Sequence, residues 1–342
     1  MAKRVTSQDV AIRAGVSRTT VSFVLNNVEG MQISQETKRR VLAAADELGY
    51  LPNAAAQALA SGRSKTIGLL LARRPSLIAA DMYLTQVLDV LASEVNQKGM
   101  RLLLEVVEHY DNREAYLKLA RSNSIDGVLY SGPQFEDAAL RFLADHAVPT
   151  VMMGAVPGTA YPFVDIDNRS SACQAVEHLI RLGHSRIACI TNAPPSYVAS
   201  TDRLQGYRDA LQVHGIAYDP HMVRYGDFDP ESGYQKMKSL LTETHDLTAV
   251  FVASDVVAFG AMRAIREHGL SIPRDIALVG FDDVTVSQYI EPSLTTMQLP
   301  LAEIARGACD ILLGLIQGNF VGATQVLLNA KLIVRASCGA AG

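Results

Sequence analysis

The 342-residue sequence contains no tryptophan and only four cysteines, Cys173, Cys189, Cys309 and Cys338. The cysteines are far apart and form no C-x-x-C pair, which argues against a zinc ribbon or a redox dithiol and predicts four reduced thiols. The eight histidines show neither H-x-x-x-H nor H-E-x-x-H spacing, and no G-x-G-x-x-G is present. We therefore expect no metal, no cofactor and no catalytic residues.

Long apolar runs are also missing. No stretch reaches the ~18 residues that a membrane-spanning helix requires. The first residues include Lys3 and Arg4, but no apolar segment follows them as it would in a secretory signal, so the cytoplasm is the expected location. With 49% hydrophobic and 19% charged residues, the chain is typical of a globular protein of two domains and a small third.

A net positive charge is absent from the chain as a whole but present at one end. The net charge is −4, yet residues 1–65 hold nine Lys and Arg against five Asp and Glu, a local charge of +4. The remaining residues therefore carry −8. A basic head on an acidic body predicts that the head alone meets a polyanion such as DNA.

Residues 5–50 predict three short helices. Thr6 is a suitable N-cap, Gly15 ends the first helix, and Ser17 caps the second. Two short helices joined by a tight, glycine-containing turn are typical of a helix-turn-helix. A third helix begins at Ser34, and its apolar face contains Val41, Ala44, Ala45 and Leu48.

The second helix carries the side chains suited to DNA. Its outward positions are Arg18, Thr19, Ser22, Phe23 and Asn26. Arg18 suits a guanine edge or a phosphate, and the hydroxyls of Thr19, Thr20 and Ser22 can reach phosphates and base edges. An aromatic ring on a polar face is explained by contact with a thymine methyl group. The alternative is that Phe23 folds back onto the small bundle.

The run DVAIRAGVSRTTVSFVLNN, residues 9–27, resembles the DNA-binding head of the LacI/GalR family of bacterial transcription regulators. Residues 39–70 resemble the same family's third helix, hinge and first core strand, and a weaker similarity continues to the C-terminus. The connection over residues 27–33 is about two residues longer than in familiar members. The resemblance implies a repressor that binds operator DNA as a homodimer under the control of a small effector, with a carbohydrate favoured and a purine as the alternative.

Residues 52–60, PNAAAQALA, favour a helix by composition but are too few to form one alone in water. We therefore expect a coil that becomes helical only with support. The resemblance implies that this hinge pairs with its dimer mate in the minor groove, where Leu59 wedges a base step and Ala56 permits close approach. The alternative is a flexible linker with Leu59 on the core surface. The implied DNA-binding set also includes Thr6, Ser17 and Asn53.

From Lys65 onward, apolar segments of strand length alternate with helical stretches, which predicts parallel sheets covered on both faces. The predicted strands are 67–71, 102–107, 127–130, 150–153, 187–190, 249–253 and 276–280. So many strands favour two α/β halves with a ligand cleft between them. The resemblance identifies this as a two-subdomain, periplasmic-binding-protein-like core.

The predicted organisation is a helix-turn-helix domain at 1–51, a hinge at 52–62 and a core at 63–342. Within the core, the first subdomain comprises about 63–164 and 295–324, and the second about 165–294 and 325–342. The resemblance implies three chain crossings between them, near 163–167, 291–297 and 323–327.

The resemblance also implies a set of effector contacts. Arg203, predicted at a helix start, matches a family arginine that binds effector oxygens, and Asp282 matches an acidic ligand. The alternative is a structural ion pair between the two across the cleft. Phe228 matches an aromatic wall on a loop.

Four further positions at strand ends complete the implied effector set. Ser254 and Asp255 stand at a strand-to-helix turn, where Asp255 could instead cap the helix. Ser131 and Ala72 end strands of the first half. Family members that bind sugars often carry asparagine at the position of Ser254, so no particular sugar is assigned.

Two other classes of function fit the sequence less well. A solute-binding transport protein would share the core but would carry a signal peptide and no DNA-binding head. A Rossmann-type enzyme would need a cofactor loop, and SGRSKT at 61–66 lacks both the first glycine and the residue order of a phosphate loop. We therefore expect a regulator and not an enzyme.

Overall fold

The computed structural model describes residues 5–26, 31–51, 62–72, 77–78, 81–107, 114–116, 119, 124–135, 138–244 and 246–340. The chain divides into two compact units, residues 1–65 and residues 66–342. Among the described residues, no helix is long and apolar enough to cross a membrane.

The first unit contains the three helices predicted from the sequence: α1 (Ser7–Ala14), α2 (Arg18–Leu25) and α3 (Gln35–Glu47). Each helix is capped by the predicted residue, because the side chains of Thr6, Ser17 and Ser34 accept backbone N–H bonds in the first turn. Gly15 follows α1 with φ +66°, a conformation that glycine adopts without strain. The helices share one small core made of Val10, Ala11, Ala14, Val21, Val24, Val41, Ala44 and Ala45.

The second unit contains two parallel sheets, as the sequence predicts. The first sheet has the order β11-β5-β4-β3-β1-β2 and is formed by β1 (Thr66–Ala72), β2 (Arg101–Val107), β3 (Gly127–Ser131), β4 (Thr150–Met153), β5 (Phe163–Ile166) and β11 (Gln325–Leu328). The second sheet has the order β7-β6-β8-β9 and is formed by β6 (Ile187–Thr191), β7 (Val223–Tyr225), β8 (Ala249–Val252) and β9 (Ala277–Val279). The central strands of both sheets are buried, which explains their continuous apolar sequences.

Helices of the second unit flank the two sheets. They are α4 (Met82–Gln97), α5 (Ala138–Asp145), α6 (Asn168–Arg181), α7 (Val198–Val213), α8 (Pro230–Glu243), α9 (Asp255–Glu267) and α10 (Leu301–Gln317). A small antiparallel pair, β10 (Thr296–Gln298) with β12 (Lys331–Ile333), completes the fold.

The last strand of the first sheet corrects a predicted boundary. Placing the start of the final segment of the second subdomain at 325 would assign Gln325–Leu328 to that half. Instead β11 pairs with Phe163–Ile166 in the first sheet, so the chain leaves that sheet only after Leu328. The strand is short and half-exposed, and its partner lies about 160 residues earlier, so no local pattern reveals which sheet it joins.

Two glycines allow α8 and α9 to pack at close range. A Cβ atom on Gly260 would lie 1.7 Å from the carbonyl oxygen of Pro230, and one on Gly233 would lie 1.9 Å from that of Val257. Backbone atoms cannot move aside as a flexible side chain can. We therefore expect Gly260→Ala to lower the free energy of unfolding by about 3 kcal/mol, measured by chemical denaturation.

Gly307 in α10 is the matched control for that substitution. A Cβ there would meet only the Val164 side chain, at ordinary contact distances of 3.4 Å to Cγ2 and 3.6 Å to Cγ1. Gly307→Ala should raise the free energy of unfolding by about 0.5–1 kcal/mol, since alanine is the better helix former. Equal effects of the two substitutions would contradict this account of the packing of α8 on α9.

Candidate functional site

The first candidate site is the exposed surface at the start of α2. Arg18 and Thr19 are exposed, and the Arg18 Nε donates a hydrogen bond to Ser7 Oγ of α1 at 3.0 Å. The Arg18 side chain therefore links the first residue of α2 to the first residue of α1. An exposed arginine at the start of this helix can reach an anionic ligand without rearrangement of the bundle.

Several of the predicted hydroxyls already have partners within the head. Ser17 Oγ accepts the Thr20 N–H at 3.0 Å and lies 2.9 Å from Thr20 Oγ1. Asn26 Nδ2 donates to Ser22 Oγ at 3.1 Å. Their contribution to DNA contacts remains a prediction, since a hydroxyl can accept a further hydrogen bond while it caps a helix.

The capping residue Thr6 is exposed and lies in a reciprocal capping box with Asp9. Phe23 is half-buried, and among the described residues of the head it is not one of the apolar side chains packed on the core. The structure thus offers no support for Phe23 as part of that core. Asn53, Ala56 and Leu59 lie outside the described residues, and their roles stay predictions.

The second candidate site is a cleft between the two sheets of the core. Its volume is about 870 Å³, including the part that is open to solvent. Five of the predicted effector residues line it: Arg203, Phe228, Ser254, Asp282 and Ser131. The cleft lies where the carboxyl ends of parallel strands meet, the usual ligand site in such sheets.

Arg203 is the best-anchored polar side chain of the cleft. It is only 7% exposed, and its Nε donates to Asn168 Oδ1 at 2.8 Å while Nη1 donates to the Ala253 carbonyl oxygen at 2.7 Å. Its guanidinium carbon lies 3.8 Å from the centroid of the Phe281 ring. These contacts fix the fork in one orientation, with Nη1 also 3.5 Å from Asp282 Oδ1.

The position of Arg203 corrects the prediction that it starts a helix. Helix α7 begins at Val198, so Arg203 is its sixth residue, beyond the reach of the positive charge at the helix N-terminus. Tyr197 precedes the helix and makes no side-chain cap, so the sequence signal for an earlier start was weak. The ion pair with Asp282, noted as an alternative, is present, and ligand binding by the two residues stays a prediction.

Asp282 is the acidic partner of Arg203 in that ion pair and is 6% exposed. Burial raises its pKa to about 8, although the nearby Arg203 lowers it, and Asp255 and Asp81 add to the rise. Its φ of +113° is unusual for a residue with a side chain, and Phe228 on the same cleft has φ +62°. Strained backbone of this kind is often concentrated where side chains are aimed at a ligand.

Asp255 is not a cleft residue. It is completely buried, and its carboxylate accepts bonds from Ser287 Oγ and Thr296 Oγ1, both at 2.6 Å, and from the Val284 N–H at 3.0 Å. The effector role predicted for it is therefore wrong, because its oxygens are occupied by the protein. The capping alternative is wrong as well, since Ser254 occupies the N-cap position of α9.

Ser131 ends β3 within the cleft lining, and Ser254 precedes α9 there. Ala72 is the last residue of β1, and its side chain lies outside the described part of the structure. Gly154 of the lining has φ +134°, and a Cβ there would lie 2.6 Å from Pro133 Cδ. A residue with a side chain at that position would therefore need a different loop.

Sequence reasoning missed several polar residues of the cleft. They are Asp81, Tyr83, Asp165, Asn168, Asn192 and Tyr197. Asp165 and Asn168 follow the apolar start of β5, so a search for polar residues at strand ends would have found them. Asp81 and Tyr83 stand at the start of α4, and nothing local distinguishes them from an ordinary helix start.

Asp165 and Asn168 extend the polar network of Arg203. Asp165 Oδ2 accepts the Ala155 N–H at 2.9 Å and Asn168 Nδ2 at 3.2 Å, while Oδ1 accepts the Ile166 N–H at 2.7 Å. The surrounding protein withdraws water from this carboxyl and raises its pKa to about 6, against the lowering effect of the two backbone donors. The cleft thus combines an oriented guanidinium with carboxyl oxygens.

An aromatic wall closes one side of the cleft. The rings of Tyr197 and Phe228 meet edge to face, with centroids 4.9 Å apart. At the rim, the Phe135 N–H donates to the Ser196 carbonyl oxygen at 3.0 Å, and Gln134 forms an isolated bridge with Tyr197. Backbone bonds thus join the two halves of the core next to the aromatic wall.

Two buried carboxyls predict a pH dependence of stability. Burial raises the pKa of Asp255 to about 7 and that of Asp282 to about 8, above the ordinary value of 3.8. The folded protein then binds more protons than the unfolded chain, so stability falls as pH rises through these values. We expect the Tm of the ligand-free protein to decrease between pH 6.5 and 8.5, measured by calorimetry.

Asp282→Asn is the control for this dependence. It removes the carboxyl that titrates highest and should flatten the decrease between pH 7.5 and 8.5. The pKa values of His178 and His184 are lowered by burial, so these side chains act mainly below this window. A Tm that rises from pH 6.5 to 8.5 would contradict the prediction.

Comparison with known proteins finds matches to both the helix-turn-helix head and the core. The family model described as "Bacterial regulatory proteins, lacI family" matches residues 6–53, and the model of a "Periplasmic binding protein-like domain" matches residues 176–338. The chain is 35% identical over 338 residues to the HTH-type transcriptional regulator CelR of Thermobifida fusca, with 98% of each chain covered. It is also 35% identical over 334 residues to the HTH-type transcriptional repressor CytR of Escherichia coli K12, covering 97% of this chain and 96% of the relative.

Solved structures give the same picture. A lac repressor dimer bound to operator and the anti-inducer ONPF matches with a TM-score of 0.87 at 33% identity, covering 99% of this chain and all of that one. A complex of the regulator CelR with cellobiose matches with a TM-score of 0.76 at 34% identity, covering 98% and 100%. Both cover the head and the core of this chain.

Proposed function

This chain belongs to the LacI family of bacterial transcription regulators, and from that membership we propose that it represses transcription as a homodimer on a pseudo-palindromic operator. A carbohydrate bound in the core cleft controls the affinity for DNA. One observation carries the proposal: a single chain joins a capped helix-turn-helix to a core cleft that is lined by an oriented arginine and carboxyl groups. Relatives with this combination are regulators.

The chemistry of the cleft favours a carbohydrate. The Arg203 fork can donate charge-assisted hydrogen bonds to sugar oxygens, and the carboxyl groups of Asp165 and Asp282 can accept from sugar hydroxyls. The faces of Phe228 and Tyr197 suit the apolar side of a sugar ring. CelR is known in complex with cellobiose, which makes that disaccharide the first probe to test.

We propose that the cleft binds its ligand without chemical conversion. Control of DNA binding then requires only that the ligand bind two states of the core with different affinities, a coupling of about 1–3 kcal/mol. The hinge at 52–62 is the proposed link, helical on DNA only when two copies meet. A purine effector remains the alternative, since an aromatic wall also suits a nucleobase.

The proposal is tested by selecting bound sequences from a random duplex library and then titrating the selected site in the presence of cellobiose, other sugars and adenine. We expect a two-fold symmetric site and a shift in affinity of about 5–150-fold with one sugar. An enriched sequence without symmetry, or an affinity for DNA indifferent to all of these compounds, would count against it.

The hinge makes a separate prediction. Leu59→Ala should weaken binding to the selected operator about 10–100-fold, because the wedge that kinks the duplex is lost. Sugar affinity, measured by calorimetry on the same variant, should remain at the wild-type value and serves as the control. An operator affinity equal to that of the wild type would show that Leu59 is not the wedge.

A further inference from the structure

The cleft contains a buried amide whose oxygen has no partner. Asn192 is the first residue after β6 and is 7% exposed. It lines the cleft, and within the described part of the chain its Oδ1 accepts no hydrogen bond. Buried side-chain acceptors are normally satisfied, so an unsatisfied one beside a ligand cleft requires an explanation.

The backbone around Asn192 is held from several sides. Its carbonyl oxygen accepts the Phe228 N–H at 2.9 Å, and the Thr191 carbonyl oxygen accepts the Gly226 N–H at 3.1 Å. The Ala193 carbonyl oxygen accepts two hydroxyls, from Thr191 at 2.8 Å and from Ser200 at 2.6 Å. These bonds fix the backbone of the turn, so it cannot readily move the Asn192 amide towards another hydrogen-bond partner.

A second asparagine in the same cleft shows the contrast. Asn168 is 4% exposed, its Oδ1 accepts Arg203 Nε at 2.8 Å, and its Nδ2 donates to Asp165 Oδ2 at 3.2 Å. The two residues share type, burial and location. They differ in that Asn168 is satisfied by the protein and the oxygen of Asn192 is not.

We propose that Asn192 is a specificity-determining residue of the cleft, whose amide oxygen accepts a hydrogen bond from one hydroxyl group of a carbohydrate effector. This inference rests on the proposed binding of a carbohydrate in the cleft. The amide is tied through its own backbone to Phe228, so an acceptor stands beside the aromatic wall. The face of a sugar ring can stack on the aromatic residue while one hydroxyl at the edge of the same ring donates to the amide oxygen. Together these two contacts fix the orientation of the sugar.

The first experiment needs no ligand. If the amide oxygen is unsatisfied in the free protein, Asn192→Leu leaves the Tm unchanged or raises it, since it removes a buried acceptor that has no partner. The matched variant Asn168→Leu should lower the Tm by about 4 °C or more, because it breaks a satisfied network. A fall in Tm for Asn192→Leu equal to that for Asn168→Leu would make the amide structural and overturn the proposal.

The second experiment uses cellobiose, maltose and glucose, with adenine as a ring that carries no hydroxyl. For the sugar that binds most tightly, the wild-type protein should bind one of its monodeoxy derivatives about 10–100-fold more weakly than the parent. Asn192→Leu should bind the parent sugar more weakly than the wild type does, by that same factor. It should bind the one sensitive derivative with the same affinity as the wild type does. The other monodeoxy derivatives should be affected equally in both proteins.

The experiments distinguish failure of the role proposed for Asn192 from failure of the proposed carbohydrate function. If a sugar binds both proteins equally and the deoxy preference survives in Asn192→Leu, the role of Asn192 is overturned and the proposed function stands. If no sugar binds the wild type, or adenine alone binds, the carbohydrate function is overturned together with the ligand assigned to Asn192.

Discussion

Replacing Arg203 with alanine should abolish the response to effector while leaving DNA binding in its absence intact. The guanidinium is the best-anchored donor in the cleft, held by Asn168 and the Ala253 carbonyl oxygen and paired with Asp282. Loss of its charge-assisted hydrogen bonds should reduce effector affinity about 100-fold or more. Calorimetric titration of the sugar that binds the wild type, with operator binding measured in parallel, checks both parts.

The same substitution should also destabilise the core. Removing one partner of a buried ion pair costs about 3–5 kcal/mol. The cost should be smaller at acidic pH, because Asp282, whose pKa is already raised to about 8 by burial, can then take up a proton. Chemical denaturation at pH 6 and pH 9 measures the difference.

A double variant separates the two roles of Arg203. Asp282→Asn removes the carboxyl that Arg203→Ala would leave unpaired, so Arg203→Ala with Asp282→Asn should recover part of the lost stability. It should not recover the effector response, because the donors remain absent. A normal effector response in the folded Arg203→Ala protein would remove Arg203 from the binding site.

Deleting residues 1–62 should eliminate specific and salt-sensitive DNA binding altogether. Residues 1–65 carry a net charge of +4, whereas the rest of the chain carries −8. The head also has its own core, from Val10 to Ala45, and the large apolar clusters of the second unit all begin at Ile67 or later. We therefore expect a folded truncated core with an operator affinity at least about 1,000-fold weaker than that of the full chain.

The salt dependence of binding identifies the source of the affinity. For the full chain, the logarithm of the binding constant should fall steeply with the logarithm of salt concentration, by about 0.9 for each phosphate neutralised. The truncated core should show almost no slope. Its affinity for the effector sugar should match that of the full chain, which proves that the cleft is intact. A steep slope in the truncated core would place phosphate contacts outside the head.

The helix-turn-helix was predictable because its signals are local. Thr6, Ser17 and Ser34 each cap a helix through an N–H only three residues ahead, and Gly15 ends α1 through its own positive φ. The parallel sheets were predictable for a related reason. Strands buried on both faces are continuously apolar, and this pattern is visible without knowledge of their neighbours.

The cleft was only partly predictable. Arg203, Phe228, Ser254, Asp282 and Ser131 line it as the resemblance implied, but Asp255 does not. The partners that occupy its carboxylate, Ser287 and Thr296, come 32 and 41 residues later in the chain. Asn192 was missed because it stands out only by its side-chain oxygen, which accepts no hydrogen bond within the described part of the chain. No sequence pattern shows whether a buried acceptor has a partner.

The sequence by itself determined the helices of the head, their caps and the alternation of buried strands with helices, since each depends on residues within one or two turns of each other. Only the tertiary structure decided which sheet Gln325–Leu328 joins, which asparagine of the cleft is satisfied and which aspartate is withdrawn from it. Those outcomes depend on hydrogen bonds between segments brought together by folding of the whole core. Whether a polar group is paired or left for a ligand is therefore settled only when the chain has closed around it.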